Sequence, residues 1–174
     1  TATLTNLLLL SNVGTNTPLR ILNNATIGRA GQLTITNSAV VIGSDTPYVP
    51  VTNNNFIVDG NSAHPAIVRL DDGILNASNV VSRVGNTESG QLIINNGTFF
   101  GRNLVVGYKT GSGTLTVNGG RLELRGNSHG GASFIIGGPS DGGPNARGAV
   151  WVNGGELVLT NNFTTFVGGN NGTG

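Results

Sequence analysis

Five twelve-residue stretches of this chain align without a gap, and this internal repetition constrains the fold more than any other feature of the sequence. They are "GQLTITNSAVVI" from Gly31, "AIVRLDDGILNA" from Ala66, "GQLIINNGTFFG" from Gly90, "GTLTVNGGRLEL" from Gly113 and "GAVWVNGGELVL" from Gly148. A sixth copy, "TATLTNLLLLS", fits the same columns when Thr1 is placed second, so repeats are expected to start near 1, 31, 66, 90, 113 and 148. A unit this short cannot bury an apolar face of its own. Stacked on its neighbours, it can contribute to one continuous core.

Within the columns apolar residues alternate with a period of two, as a strand with one buried face requires. Leu33 and Ile35, Val68 and Leu70, Leu92 and Ile94, Leu115 and Val117, and Val150 and Val152 point one way. After a polar corner a second inward pair follows: Val40 and Ile42, Leu75 and Ala77, Leu122 and Leu124, Leu157 and Leu159. A third short run, such as "ATIG" at Ala25 or "LVVG" at Leu104, precedes the next copy. Helices are excluded, because Gly and β-branched residues recur every few positions and no 3.6-residue stripe persists. The expected fold is all-β: a right-handed parallel β-helix, a solenoid of about six turns with three short strands each, its hand following the general rule for parallel crossovers. Six turns at about 4.8 Å each give a stack of roughly 29 Å.

One corner column supports stacking in register. Asp71, Asn95, Asn118 and Asn153 fall in the same place in successive copies, where amides can hydrogen-bond along the axis. Gly73, Gly97, Gly120 and Gly155, two columns on, are expected to supply positive φ at the bend.

Composition sharpens the picture by what it leaves out. There is no Cys, so disulfides and thiolate metal sites are excluded. Eight Arg are scattered along the chain beside a single Lys, Lys109, and the net charge is +1; no basic run points to nucleic acid or a membrane surface. The Leu7–Leu10 run is far shorter than a membrane-spanning segment.

The phrase "LVVGYKTGSGTLTVNGGRLEL" (Leu104 to Leu124) resembles the repeats of bacterial autotransporter passenger domains and related surface proteins with autotransporter-associated β-strand repeats. As a repeat style the resemblance covers nearly the whole chain, with the copy at Thr1 the loosest. It implies a secreted, surface-exposed right-handed β-helix, usually part of a longer polypeptide, and carries over no catalytic residue. No membrane barrel is part of these 174 residues, so export by that family's route would require further sequence.

Residues able to do chemistry do not converge. The acidic residues occupy different columns, and the adjacent pair Asp71 and Asp72 sits at a corner where other copies carry Asn or Gly. Glu156 shares a column with Arg121 one repeat on, which predicts a surface ion pair. His64 and His129 lie in polar loops without a second ligand at metal spacing, and "GGPSDGGPN" (Gly137 to Asn145) lacks the nonapeptide period of calcium-binding repeats. The sequons beginning at Asn24, Asn76, Asn96, Asn162 and Asn171 read as a product of composition. No catalytic, cofactor or metal site is predicted, and the chain is expected not to be an enzyme; a polysaccharide lyase or hydrolase is the remote alternative.

Two kinds of surface remain as candidates. Repeat length varies from 23 to 35 residues while the twelve columns stay fixed, so the extra length lies in loops. Loops 11–20 and 43–55 are expected to leave the same corner in adjacent turns, with Asp45 and Tyr48 as contact residues for a glycan or host surface. Trp151, outward in a column with Thr116, Ile93 and Arg69, is the candidate for a lateral contact. The second surface is the pair of ends. Ala2, Leu4, Leu9 and Val167 are core-type residues, and Gly174 falls where the empty first column of the first copy would be, so the chain reads as a whole number of turns. With Thr1 at its start it reads as a mature or excised segment. The leading expectation is an extracellular or cell-surface rod that stacks head to tail on itself or on covalent neighbouring repeats; an adhesin segment is the alternative.

Overall fold

A computed structural model describes residues 2–43, 54–126, 132–138, 145–160 and 163–168, and these hold fifteen strands and no helix. In chain order they are β1 (Ala2–Leu4), β2 (Leu7–Ile21), β3 (Ala25–Gly28), β4 (Gln32–Ile42), β5 (Asn55–Asp59), β6 (Ala66–Asp71), β7 (Ile74–Val84) and β8 (Ser89–Ile94). They continue as β9 (Thr98–Val106), β10 (Ser112–Val117), β11 (Arg121–Arg125), β12 (Ala132–Ile136), β13 (Arg147–Val152), β14 (Glu156–Thr160) and β15 (Phe163–Val167).

Every pairing between these strands is parallel and joins residues one repeat apart, which sorts the chain into three ladders. The first runs through β1, β3, β5, the end of β7, the end of β9, β12 and β15. The second runs through the start of β2 and of β4, then β6, β8, β10 and β13. The third takes the ends of β2 and β4, the starts of β7 and β9, then β11 and β14. Parallel strands need long crossovers, and here each crossover consists of the other two ladders.

The inward columns of all three ladders meet in one core. Phe56, Val58, Leu104 and Val106 come from the first, Leu92, Ile94, Leu115 and Val117 from the second, and Leu75, Phe99, Leu122 and Leu124 from the third, each fully buried. Small residues interrupt the columns of large ones at particular turns. Gly101 lies between Ala77 and Leu124 in the third ladder, and a Cβ there would meet the Phe99 ring at 2.6 Å. Ser82 stands between Phe56 and Leu104 in the first ladder, fully buried, and its hydroxyl has no hydrogen-bond partner among the described residues.

The first repeat departs from expectation. Ala2–Leu4 pair with Ala25–Ile27 in the first ladder, and the second ladder begins at Leu7, which pairs with Gln32. The inward column of Leu33 and Ile35 therefore receives Leu8 and Leu10, while Leu9 pairs with Thr34 on the outer face and is exposed. "TATL" alternates as well as any second-ladder segment does, and four consecutive leucines carry no period that could reveal the true phase.

This shift also separates the two long connections. Residues 11–20 belong to β2 and bridge the second and third ladders, with register breaks between Ser11 and Gly14 and between Gly14 and Leu19. The connection after β4 instead leads from the third ladder back to the first, as the one after β11 does. Loops 11–20 and 43–55 thus leave different corners.

The corner column is as expected. Asn95 Nδ2 donates to Asp71 Oδ1 at 2.6 Å, Asn118 Nδ2 to Asn95 Oδ1 at 2.9 Å, and Asn153 Nδ2 to Asn118 Oδ1 at 2.9 Å. All three donors point toward the chain's N-terminal end, and the run terminates on a carboxylate. The corner glycines divide in role. Gly120 and Gly155 have φ of 71° and 84°, whereas in the third repeat Asp72 takes the positive φ. Gly97 is required by close approach, since a Cβ there would lie 2.3 Å from the Gly73 carbonyl oxygen.

Candidate functional site

The two ends of the strand array are where core chemistry meets solvent. At the N-terminal end β1 pairs only with β3 and β2 only with β4, so one edge of each carries backbone groups without a ladder partner. Leu8 and Leu19 are 38% and 40% exposed although they continue the columns of Leu33 and Val40. Between them lies an apolar cleft of about 240 Å³ lined by Ala2, Leu4, Leu8, Leu19, Ile21 and Ile27, among others. Ala2 and Leu4 line this opening as the end-interface expectation has it, and Leu8 rather than Leu9 accompanies them.

The other end mirrors this chemistry. β13, β14 and β15 each pair on one side only, with β10, β11 and β12. Val152, Leu157, Leu159 and Val167 extend inward columns but are 47%, 36%, 37% and 64% exposed. Asn153, last in the amide column, keeps an Oδ1 to which no described residue donates. Gly174 lies outside the described residues. Unpaired parallel edges flanked by core side chains are the combination that templates further strand pairing.

On the outer face of the third ladder lies a charged cluster that the sequence shows only in part. Arg121 bridges Glu156 Oε2 at 2.7 Å, the expected cross-repeat pair, but its Nε also donates to Glu123 Oε2 at 2.8 Å. Arg125 donates to the other oxygen of Glu123. Glu123 is only 3% exposed. Burial alone pushes its carboxyl up; the two guanidiniums outweigh that and hold it below the ordinary carboxylate value. Arg121, drawn to Glu123 first and Glu156 second, is raised in turn.

The remaining candidates are dispersed. Trp151 pairs with Thr116 in the expected outward column and is 59% exposed; Ile93 and Arg69 continue that column, so no second ring stands beside it there. Asp71 and Asp72 accept hydrogen bonds from Asn95 and Asn96, which ties both carboxylates to corner structure. His64 closes a small loop in which its amide and that of Ala63 bond to Asn61 Oδ1. Asp45, Tyr48, His129 and most of Gly137 to Asn145 lie outside the described residues. Among the described residues no three His, Cys, Asp or Glu side chains gather as metal ligands would.

Sequence reasoning missed Asp59. Its carboxylate accepts the backbone N–H groups of Asn86, Thr87 and Glu88 and the Thr87 hydroxyl, clamping the connection one repeat above it. Asp59 occupies a position where neighbouring repeats carry Gly, and that break in the column was the available signal. No family model, no curated protein and no solved structure matches this chain.

Proposed function

We propose that this chain is a non-catalytic structural protein, a right-handed parallel β-helix that forms part of a stiff rod at the bacterial cell surface or in the extracellular matrix. Further turns continue it at its ends, supplied by a second copy docking head to tail or by neighbouring repeats of the same polypeptide. The observation that carries this reading is the pairing of one-sided strand edges with exposed core columns at both ends. The likeness of "LVVGYKTGSGTLTVNGGRLEL" to autotransporter-type repeats supports the surface location.

Head-to-tail docking uses two different surfaces, so it does not close on itself and yields filaments. Negative-stain electron microscopy and sedimentation velocity over rising concentration test this. Rods lengthening with concentration are expected; a folded particle that stays monomeric at the highest attainable concentration refutes docking between copies. The adhesin alternative has less support, because residues 11–20 bridge the second and third ladders, whereas the strands that flank residues 43–55 belong to the third and the first.

A further inference from the structure

Away from both ends, at the corner between the first and second ladders, a cleft of about 310 Å³ is lined by Ser62, Thr87, Glu88, Ser89, Thr110 and Ser112. Five hydroxyl-bearing residues and one glutamate from three successive repeats line a volume of the size that takes a single small ligand. We propose that this cleft binds one residue of a neutral saccharide, with vicinal ligand hydroxyls donating to the Glu88 carboxylate.

The hydrogen-bond inventory sets the ligand class. The Thr87 hydroxyl donates to Asp59 Oδ2 at 2.8 Å and the Thr110 hydroxyl to the Thr87 carbonyl at 3.0 Å. Both oxygens therefore offer only lone pairs to the cleft, as Glu88 does. Ser62, Ser89 and Ser112 have no side-chain partner among the described residues and can donate or accept. Three acceptor-only groups beside three two-way hydroxyls complement a ligand that carries many hydroxyls of its own.

Charge decides between a polyol and a cation. Asp59 is consumed by its four hydrogen bonds, which leaves Glu88 as the one uncommitted anion. Lys109 precedes Thr110, and Arg147 pairs in register with Ser112; both are exposed. With one free carboxylate and no cluster of three His, Cys, Asp or Glu among the described residues, the cleft offers a divalent ion too little charge, whereas a polyol needs only hydrogen-bonding partners.

The cleft is also fixed before any ligand arrives. Asp59 holds the amides of Asn86, Thr87 and Glu88, the Ser112 amide bonds to the Glu88 carbonyl at 2.7 Å, and the Gly60 amide bonds to the Ser89 carbonyl at 2.7 Å. No freedom of this backbone is lost on binding, which is what preorganisation contributes to affinity. No aromatic ring lines the cleft, so the expected affinity is millimolar, as for a site met repeatedly along a polymer.

The test is a titration of the ¹⁵N-labelled chain with methyl glucopyranoside, galactopyranoside and mannopyranoside to about 50 mM, which saturates millimolar sites. Saturable amide shifts confined to residues 60–62, 86–89 and 110–112 are expected with at least one sugar. Glu88→Ala should weaken binding at least about tenfold, the loss of one charge-assisted contact, and Ser112→Val should weaken it independently, each with an unchanged circular dichroism spectrum. Absence of saturable shifts with every sugar overturns the proposal, as does equal binding by Glu88→Ala. Shifts produced by calcium chloride alone at these residues would overturn it in favour of a cation site. Self-association is read separately by sedimentation, so failure here leaves the rod reading standing.

Discussion

At the scale of single residues, Glu123 shows how alternation can place a side chain correctly and still miss its environment. Period two puts it outward between Leu122 and Leu124, and outward it is, yet it is buried beneath two arginines. Its folded-state affinity for a proton is lowered, so its contribution to stability is present above the ordinary Glu value of about 4.3 and is lost as pH falls through the lower folded value. Glu123→Gln should therefore cost about 1–3 kcal/mol in urea unfolding at pH 7, where a buried charged acceptor is lost. The gap from wild type should shrink progressively as pH falls below the ordinary Glu value and through the lowered folded one; a gap that stays constant with pH would show that packing, not charge, is what Glu123 supplies. Ser82 presents the opposite case, a buried hydroxyl without a partner between Phe56 and Leu104. Ser82→Ala keeps the small volume and removes the unsatisfied group, so thermal unfolding should move up by about 0.5–1 kcal/mol equivalent; destabilisation would mean that the hydroxyl is hydrogen-bonded in solution.

At the scale of elements, the polar corner column explains why the ladders hold their register. A flat parallel strand slipped by one residue would exchange its buried and exposed sets, and each hydrogen bond from Asn95, Asn118 and Asn153 marks one allowed phase. Asn118 both donates to Asn95 and accepts from Asn153, so Asn118→Ala breaks two contacts. It should cost about 1–2 kcal/mol at roughly 1 kcal/mol per hydrogen bond, more than Asn153→Ala, which breaks one; equal losses in chemical denaturation would argue against a connected column. The second and third ladders and most core positions were legible because they repeat in five gapless copies, and this column because it recurs in four of them. The first repeat was not, since Leu7 to Leu10 satisfy either phase and only the pairing of Leu7 with Gln32 decides between them. The cleft at Thr87 and Glu88 was equally hidden, because Ser62, Thr87, Glu88 and Thr110 come from connections that vary between repeats, and the Asp59 clamp that holds Thr87 and Glu88 in place has no counterpart in the neighbouring repeats.

At the scale of the whole molecule, each interior repeat gains from two neighbours and each end repeat from one, so stability in such an array is approximately a sum of nearest-neighbour terms. The end columns make the cost of a missing neighbour explicit. Val117 is fully buried under Val152, whereas Val152 in the same column is about half exposed because nothing described lies above it. A charge placed at such a position separates folding from assembly. Val152→Lys with Leu157→Lys puts two ammonium groups on an open end, where the chain reaches water and substitutions change stability by about 0.5–1 kcal/mol. In a docked rod the same groups would be buried without partners, at several kcal/mol each, and would also repel one another. The double variant should keep its far-ultraviolet spectrum and melting temperature within a few degrees of wild type, yet sediment as a monomer where wild type forms rods. Val117→Lys, one repeat inward, is the control and should not fold at all. Rods from the double variant indistinguishable from those of wild type would place the growing contact elsewhere and would sink the end-to-end reading, since no docking geometry can use the C-terminal edge and leave Val152 and Leu157 in solvent.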